Sequence, residues 1–202
     1  EFENIPFQYI MDCESSNSSS SKQNCIYYYN DIMERLRKET HGYLDKMDYN
    51  NCIISGGFMY GLVDKLSDTL SLASDIDIFV YGTYLERYNK ITELLEYFKK
   101  YDPELTKKHG VINIKIRDFK YIIQIIDTPY LSYETIINNF DYSYPQLCYN
   151  GETILCSIYC VFSLLTKISI SKIRDRSNIG IRYLKSKNKG LFTILDEKDL
   201  SV

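Results

Sequence analysis

The sequence predicts an α/β fold: a mixed, twisted sheet with helices packed mainly on one side, followed by a helical C-terminal part. Two observations predict this class. Short apolar runs of strand length recur through the first three quarters of the chain, and segments with helical periodicity lie between them. From Ser157 onward the pattern is mainly helical, with a break near 169–171. We expect a ligand to bind in the groove between the sheet and the C-terminal part.

The first predicted elements are a helix and a short buried strand. Over 28–47, apolar residues recur at helical spacing, at Ile32, Leu36, Leu44 and Met47. Cys52-Ile53-Ile54 then forms a short apolar run that ends in Ser55-Gly56-Gly57. This pattern predicts a strand closed by a tight turn, with the next helix beginning near Phe58.

The second strand and the helix after it have the clearest local signals. Residues 75–80 alternate acids with isoleucine before becoming fully apolar. Thr83 and Glu86 have the spacing of a capping box, which opens a helix. We expect this helix to end before Pro103 and to place one apolar face on the core, formed by Leu85, Tyr88, Ile91, Leu95 and Phe98.

Two hairpins and a short helix complete the predicted core. The runs 111–116 and 121–126 flank a polar turn, and a short helix is expected over 133–139. The segments 146–149 and 152–156 flank Asn150-Gly151, which is typical of a two-residue hairpin turn.

Length and composition favour one main domain with appendages. The chain has 202 residues, of which 45% are hydrophobic, enough for one sizeable core. We divide it into an N-terminal extension, 1–27, with a serine tract at 15–21 expected to be mobile, a core, 28–156, and a helical, basic part, 157–202. Eight Lys or Arg residues against one acid lie between Lys167 and Lys189, although the net charge is −3.

Several classes of protein are disfavoured. No apolar run approaches the roughly 18 residues of a membrane span, and the N-terminus lacks the basic start of a signal peptide. We therefore expect a soluble, cytoplasmic protein without a membrane partner. The six cysteines show no Cys-x-x-Cys pair and only two histidines are present, so we expect free thiols rather than a zinc site.

Asp75 and Asp77 are the candidate metal ligands. Residues i and i+2 of a strand point to the same face, so the two carboxylates project together, roughly 6.6 Å apart along the strand. Mg²⁺ binds one or two carboxylates and completes its shell with phosphate oxygens and water. The spacing therefore predicts a Mg²⁺ site, which Mn²⁺ would also fit.

Gly56 and Gly57 are the candidate phosphate-binding residues. Without side chains, they allow backbone N–H groups to approach a triphosphate closely. A helix that begins directly after them would add its N-terminal dipole. The hydroxyl of Ser55 is a further candidate donor to the phosphates.

Together, ISGGF at 54–58 and SDIDIFVYG from Ser74 resemble the nucleotidyltransferase superfamily of DNA polymerase beta, poly(A) polymerases and CCA-adding enzymes. The resemblance implies their fold, with Gly56 and Gly57 in the turn after the first strand and Asp75 and Asp77 on the second. It implies that the protein binds an NTP and Mg²⁺.

Two looser resemblances extend this match to about residue 192. FDYSYPQLCYNG is similar to a segment of CCA-adding enzymes that carries an aspartate, here Asp141. IRYLKSKNKGL resembles a basic segment of nucleotidyltransferase-like proteins of large DNA viruses, which implies that Arg182 and Lys185 bind nucleotide. Two interpretations of each stay open: Asp141 either lines the site or caps a turn, and the basic segment, with Lys189, either binds phosphate or forms a solvated helix face.

One position departs from the superfamily pattern. Polymerase-beta-like members carry a third carboxylate on a later strand, where this chain has Gln124. Asp127 points the other way and Asp118 lies in a turn, and Gln124 itself is a candidate for a hydrogen-bonded core amide.

The leading functional hypothesis is Mg²⁺-dependent transfer of a nucleoside monophosphate from an NTP to a hydroxyl acceptor, with release of pyrophosphate. The acceptor could be an RNA 3′ end, slightly favoured by the resemblance, a small molecule or a protein side chain. The alternative is a nucleotide- or RNA-binding module that keeps the fold without turnover. A third interpretation is an excised catalytic domain of a longer enzyme.

Overall fold

The computed structural model describes residues 5–6, 26–66, 68–171 and 179–195 of the chain. Its main sheet has eight strands in the order β1-β8-β7-β2-β3-β6-β5-β4. These strands are β1 (Ile5–Pro6), β2 (Cys52–Ser55), β3 (Asp75–Val80), β4 (Glu104–Lys108), β5 (Val111–Lys115), β6 (Ile122–Asp127), β7 (Leu147–Tyr149) and β8 (Ile154–Cys156). The pair β3–β6 is parallel and β2–β3 antiparallel, so the sheet is mixed.

The helices are α1 (Tyr29–Glu39), α2 (Gly57–Val63), α3 (Tyr84–Lys99), α4 (Tyr133–Asn138), α5 (Ile158–Thr166) and α6 (Ile179–Asn188), with a 3-10 turn at Leu70–Leu72. The main core includes residues of α1, α2 and α3 and one face of the sheet, including Ile54, Ile76, Ile78, Ile123 and Ile125. Residues of α4 pack with Ile53, Phe79 and Cys148 of the other face. The predicted fold class, with helices mainly on one side, is confirmed.

The two predicted hairpins form, with changes. β5 and β6 pair in antiparallel register, as expected, and β4 adds an exposed edge strand that we did not predict. β7 and β8 pair from Tyr149 opposite Ile154, so their connection has four residues rather than two. The side-chain oxygen of Asn150 stabilises this longer loop, because it accepts hydrogen bonds from the backbone N–H groups of Glu152 and Thr153.

Two predicted helices differ from the structure, the first in its length and α3 in its buried face. The first ends at Glu39 rather than near Met47, since His41 and Gly42 adopt positive φ angles of 50° and 72°. The capping box of Thr83 and Glu86 is confirmed at the start of α3.

The buried face of α3 differs from the predicted one. Leu94 and Phe98 are fully buried, whereas Leu85 and Tyr88 are 65% and 59% exposed. The helix is rotated toward Lys90, which is buried and forms ion pairs of 2.9 Å with Asp48 and Glu93.

The C-terminal part contains the helices α5 and α6, as predicted, and also two strands that we did not predict. The expected break is a strand, β9 (Ile168–Ser171), which pairs in parallel with β10 (Phe192–Leu195) to form a separate two-stranded sheet. The pairing is non-local, with α6 between the two strands. The predicted serine loop at 15–21 lies outside the described residues. Among the helices that the structure describes, none has the length and hydrophobicity of a membrane span.

Candidate functional site

A groove of about 370 Å³ lies between the main sheet and α6. The turn after β2 and the first residues of β3 form one wall, and α6 forms another. It brings together seven of the eight predicted site residues, Gly56, Gly57, Asp75, Asp77, Asp141, Arg182 and Lys185, and also Lys189.

The carboxylates of Asp75 and Asp77 share one face of β3 and are half-buried. The hydroxyl of Ser74 donates a hydrogen bond to Asp75 Oδ2 at 3.1 Å. Burial, reinforced by the charge of Asp75 and opposed by Lys185, raises the pKa of the Asp77 carboxyl to about 7. Because a bound cation would relieve this crowding of negative charge, the pair fits Mg²⁺ or Mn²⁺ with phosphate and water completing the shell. Within the described residues, no group of three or more His, Cys, Asp or Glu side chains could hold a metal ion.

The glycine turn lies directly against this acidic pair. Gly56 has a φ of 90°, and a Cβ placed on it would lie 2.8 Å from Asp77 Oδ2. A Cβ on Gly57 would lie 3.5 Å from the Nζ of Lys189. Gly56 is therefore required both by its backbone conformation and by the space that the Asp77 carboxylate occupies.

Ser55 does not line the groove, which corrects the predicted phosphate contact. Its side chain is buried, and its hydroxyl donates a hydrogen bond to the backbone carbonyl of Leu147 at 2.5 Å. The hydroxyl thus joins β2 to β7.

Two cations of α6, Arg182 and Lys185, and Lys189 directly after the helix line the groove opposite the carboxylates. Arg182 forms an ion pair with Asp141, and Lys185 is exposed. Lys189 is 7% exposed, and its ammonium donates a hydrogen bond of 3.5 Å to the carbonyl of Thr69. Burial lowers the pKa of Lys189, while the charge of Asp75 opposes this shift. An anion in the groove would give this ammonium a partner.

Gln124 lies beside Asp77 on the neighbouring strand. Its side-chain N–H donates a hydrogen bond to Asn113 Oδ1 at 2.9 Å, so Gln124 is a hydrogen-bonded amide, one of the interpretations that the sequence allowed. Asp127 is held in an ion pair with Arg87 at 2.6 Å. Neither side chain lines the groove.

Comparison with known proteins decides the family. A model of the Gabija anti-defense 2 family protein matches residues 20–167, most of the chain. The chain belongs to this family. No curated protein matches the sequence.

Solved structures show the fold of this Gabija anti-defense 2 family member. A tRNA-processing enzyme in an apo form matches with 16% identity and a TM-score of 0.50, over 88% of this chain and 48% of the other. A Thermotoga maritima CCA-adding enzyme complexed with tRNA matches with 13% identity and a TM-score of 0.51, over 99% and 45%. The fold is therefore nucleotidyltransferase-like, and the chain spans about half the length of these proteins.

The family member's groove also has an aromatic wall that the sequence did not reveal to us. Phe140, Tyr142 and Tyr144 line it next to Asp141, with Asn188 of α6 on the other side. Burial raises the pKa of Tyr144 to about 12, with Tyr142 and the two aspartates adding to the shift. The run of aromatic residues at alternate positions, 140, 142 and 144, was the available signal.

Proposed function

We propose that this protein is a Mg²⁺-dependent nucleotidyltransferase, which moves a nucleoside monophosphate from an NTP to a hydroxyl acceptor and releases pyrophosphate. One observation carries the proposal. The carboxylates of Asp75 and Asp77 share a groove with a glycine turn and three cations, Arg182 and Lys185 of α6 and Lys189 directly after it. Carboxylates that bind Mg²⁺ and cations that bind phosphate are the two parts that phosphoryl transfer from an NTP needs.

In this proposal, the acidic residues of the groove bind metal and the basic residues bind phosphate. Asp75 and Asp77 would hold Mg²⁺, or Mn²⁺ in its place, which would neutralise the charge of the phosphates. Gly56 and Gly57 leave the backbone open to the triphosphate, and Lys185 and Lys189 would contact its oxygens. The family is named for action against Gabija, so we propose that the transfer reaction counteracts that defence in the cytoplasm of an infected cell. An RNA 3′ end is the acceptor we favour.

Labelled NTPs, Mg²⁺ and an RNA pool, incubated with the protein, test the reaction. We expect a labelled product from the wild type and none from Asp75→Ala combined with Asp77→Ala. If neither protein forms a labelled product of any class, the enzyme proposal is wrong. In cells that carry Gabija, the wild type should lower the activity of that defence, and the same double variant should not.

The second candidate is a nucleotide- or RNA-binding module without turnover. Gln124 favours it, because an amide cannot act as a general base and this one already bonds to Asn113. Calorimetry with ATP and Mg²⁺, combined with a pyrophosphate assay, separates the two. Binding without pyrophosphate release supports the module, and turnover eliminates it.

A further inference from the structure

A second groove, of about 630 Å³, lies between the end of α1 and the end of α3. Cations and aromatic rings line it together: Arg37, Lys38, His41, Lys46, Tyr97, Lys100 and Tyr101. We call this surface the basic–aromatic groove. Its positive charge is local, because the whole chain has a net charge of −3.

The cations of the basic–aromatic groove are mostly available to a partner. Arg37 is paired with Asp45 at 2.9 Å. In the described part of the chain, no carboxylate lies within ion-pair distance of Lys38, Lys46 or Lys100. Lys38 and Lys100 lie at the C-terminal ends of α1 and α3, where the helix dipole favours cations. Lys46 belongs to neither helix, so a helix dipole does not account for its position.

Its rings form a connected, partly exposed wall. Tyr97 and Tyr101 contact each other edge to face, with 6.3 Å between ring centroids. The ammonium of Lys100 lies 3.9 Å from the ring centroid of Tyr97 and 4.8 Å from that of Tyr101. Rings interleaved with cations are the combination that binds single-stranded nucleic acid, since bases stack on rings while phosphates meet the cations.

A chain of ring contacts connects this surface to the proposed active site. Phe58 lines the first groove and contacts Tyr121 at 5.1 Å, Tyr121 contacts Phe119 at 5.6 Å, and Phe119 contacts His41 at 5.6 Å. The rings of Phe58 and His41 are thus roughly 16 Å apart at most in a straight line. Because Phe58, Tyr121 and Phe119 are buried, a nucleic acid that reaches both grooves would pass over these rings at the surface. Lys120 is exposed on this path, and Glu39 beside it is engaged by the hydroxyl of Tyr121 at 2.5 Å.

We infer that the basic–aromatic groove binds the backbone of a single-stranded nucleic acid acceptor whose end reaches Asp75 and Asp77. This inference rests on the proposed function for the role of the bound end, but binding itself can be measured without any turnover.

The test compares two triple variants for binding of a labelled single-stranded RNA of about 12 nucleotides. Lys38→Ala with Lys46→Ala and Lys100→Ala removes cations of the groove. Lys99→Ala with Lys107→Ala and Lys108→Ala removes the same charge from other exposed positions.

We expect the groove variant to bind about tenfold more weakly at moderate salt and to lose about two units of slope in log K against log salt. The control should lose much less, and melting temperatures should stay similar because all six lysines are exposed. Equal binding by the two triple variants would overturn the inference. The inference would also be overturned if poly-glutamate of matched charge bound the wild type as tightly as the RNA does.

Activity then separates the inference from the proposed function. With an acceptor of two nucleotides, too short to reach the basic–aromatic groove, the groove variant should match the wild type. With the 12-nucleotide acceptor, its KM should rise. If no acceptor is extended by the wild type, the proposed function fails while the binding result still decides the inference.

Discussion

Gly56 leaves room for the Asp77 carboxylate because it has no side chain. We predict that Gly56→Ala displaces this carboxylate and weakens binding of ATP with Mg²⁺ by about tenfold or more, a difference of about 1.4 kcal/mol. Gly110→Ala is the matched control, because Gly110 has a φ of 80° and open space around it. Both variants should lose about 1–2 kcal/mol of stability through backbone strain, measured by urea unfolding. Normal ATP binding by Gly56→Ala would contradict the prediction.

Lys189 carries a buried charge that should cost stability. Burial disfavours its charged form, and within the described residues no carboxylate lies within ion-pair distance of it. We therefore predict that Lys189→Met raises the melting temperature by roughly 2 °C or more, while it weakens binding of ATP in calorimetry. Lys187→Met, at an exposed position in the last turn of α6, should change neither property. A lower melting temperature for Lys189→Met would show that the ammonium stabilises the fold.

At the scale of single residues, the sequence predicted the positions of those residues that stand in a distinctive local pattern. Asp75 and Asp77 were found because alternation fixes their common face, and Gly56 because it stands between a strand and a helix. Ser55 was misplaced, since its partner Leu147 belongs to a strand distant in sequence. Nothing in the local pattern could reveal that contact.

At the scale of elements, α2 depends on close packing against the 3-10 turn. A Cβ on Gly61 would lie 2.7 Å from the Cα of Leu70, and a backbone atom cannot move aside cheaply. We predict that Gly61→Ala destabilises the protein by about 1–3 kcal/mol through overpacking, measured by urea unfolding. Gly180→Ala, in the open part of α6, should be neutral or slightly stabilising. Equal stability of Gly61→Ala and the wild type would contradict this account.

Helix α6 supplies the exposed cations of the first groove. We predict that Arg182→Ala with Lys185→Ala weakens ATP binding several-fold, because both side chains line the groove, while stability hardly changes. Calorimetry and thermal unfolding measure the two quantities. Unchanged ATP affinity would mean that the ion pair of Arg182 with Asp141 serves only to hold α6 in place.

The elements that were predicted correctly have strong local patterns, as in the capping box of α3 and the hairpin of β5 and β6. The missed strands lack such patterns. β4 is charged and fully exposed, and β9 pairs with a strand more than twenty residues away. Pairing over that distance depends on tertiary contacts, which periodicity cannot report.

At the scale of the whole molecule, ligand binding should stabilise the protein. ATP with Mg²⁺ at a concentration of about 100 times Kd should add about 2.7 kcal/mol, seen as a higher melting temperature. EDTA should remove most of this gain, because the phosphates would then face Asp75 and Asp77 without a cation between them. Asp75→Ala with Asp77→Ala is the control, and its melting temperature should respond little to EDTA. A gain in the wild type that EDTA leaves unchanged would argue against metal-dependent binding.

The parallel pairing of β9 with β10 has a consequence for how the molecule is made. Because α6 lies between these two strands, the helix is the crossover of a β-α-β unit, and it cannot be secured until β10 has been synthesised. A nascent chain on the ribosome would thus expose Asp75 and Asp77 before Arg182, Lys185 or Lys189 faces them. The groove would therefore be completed only after β10 has been made and has paired with β9.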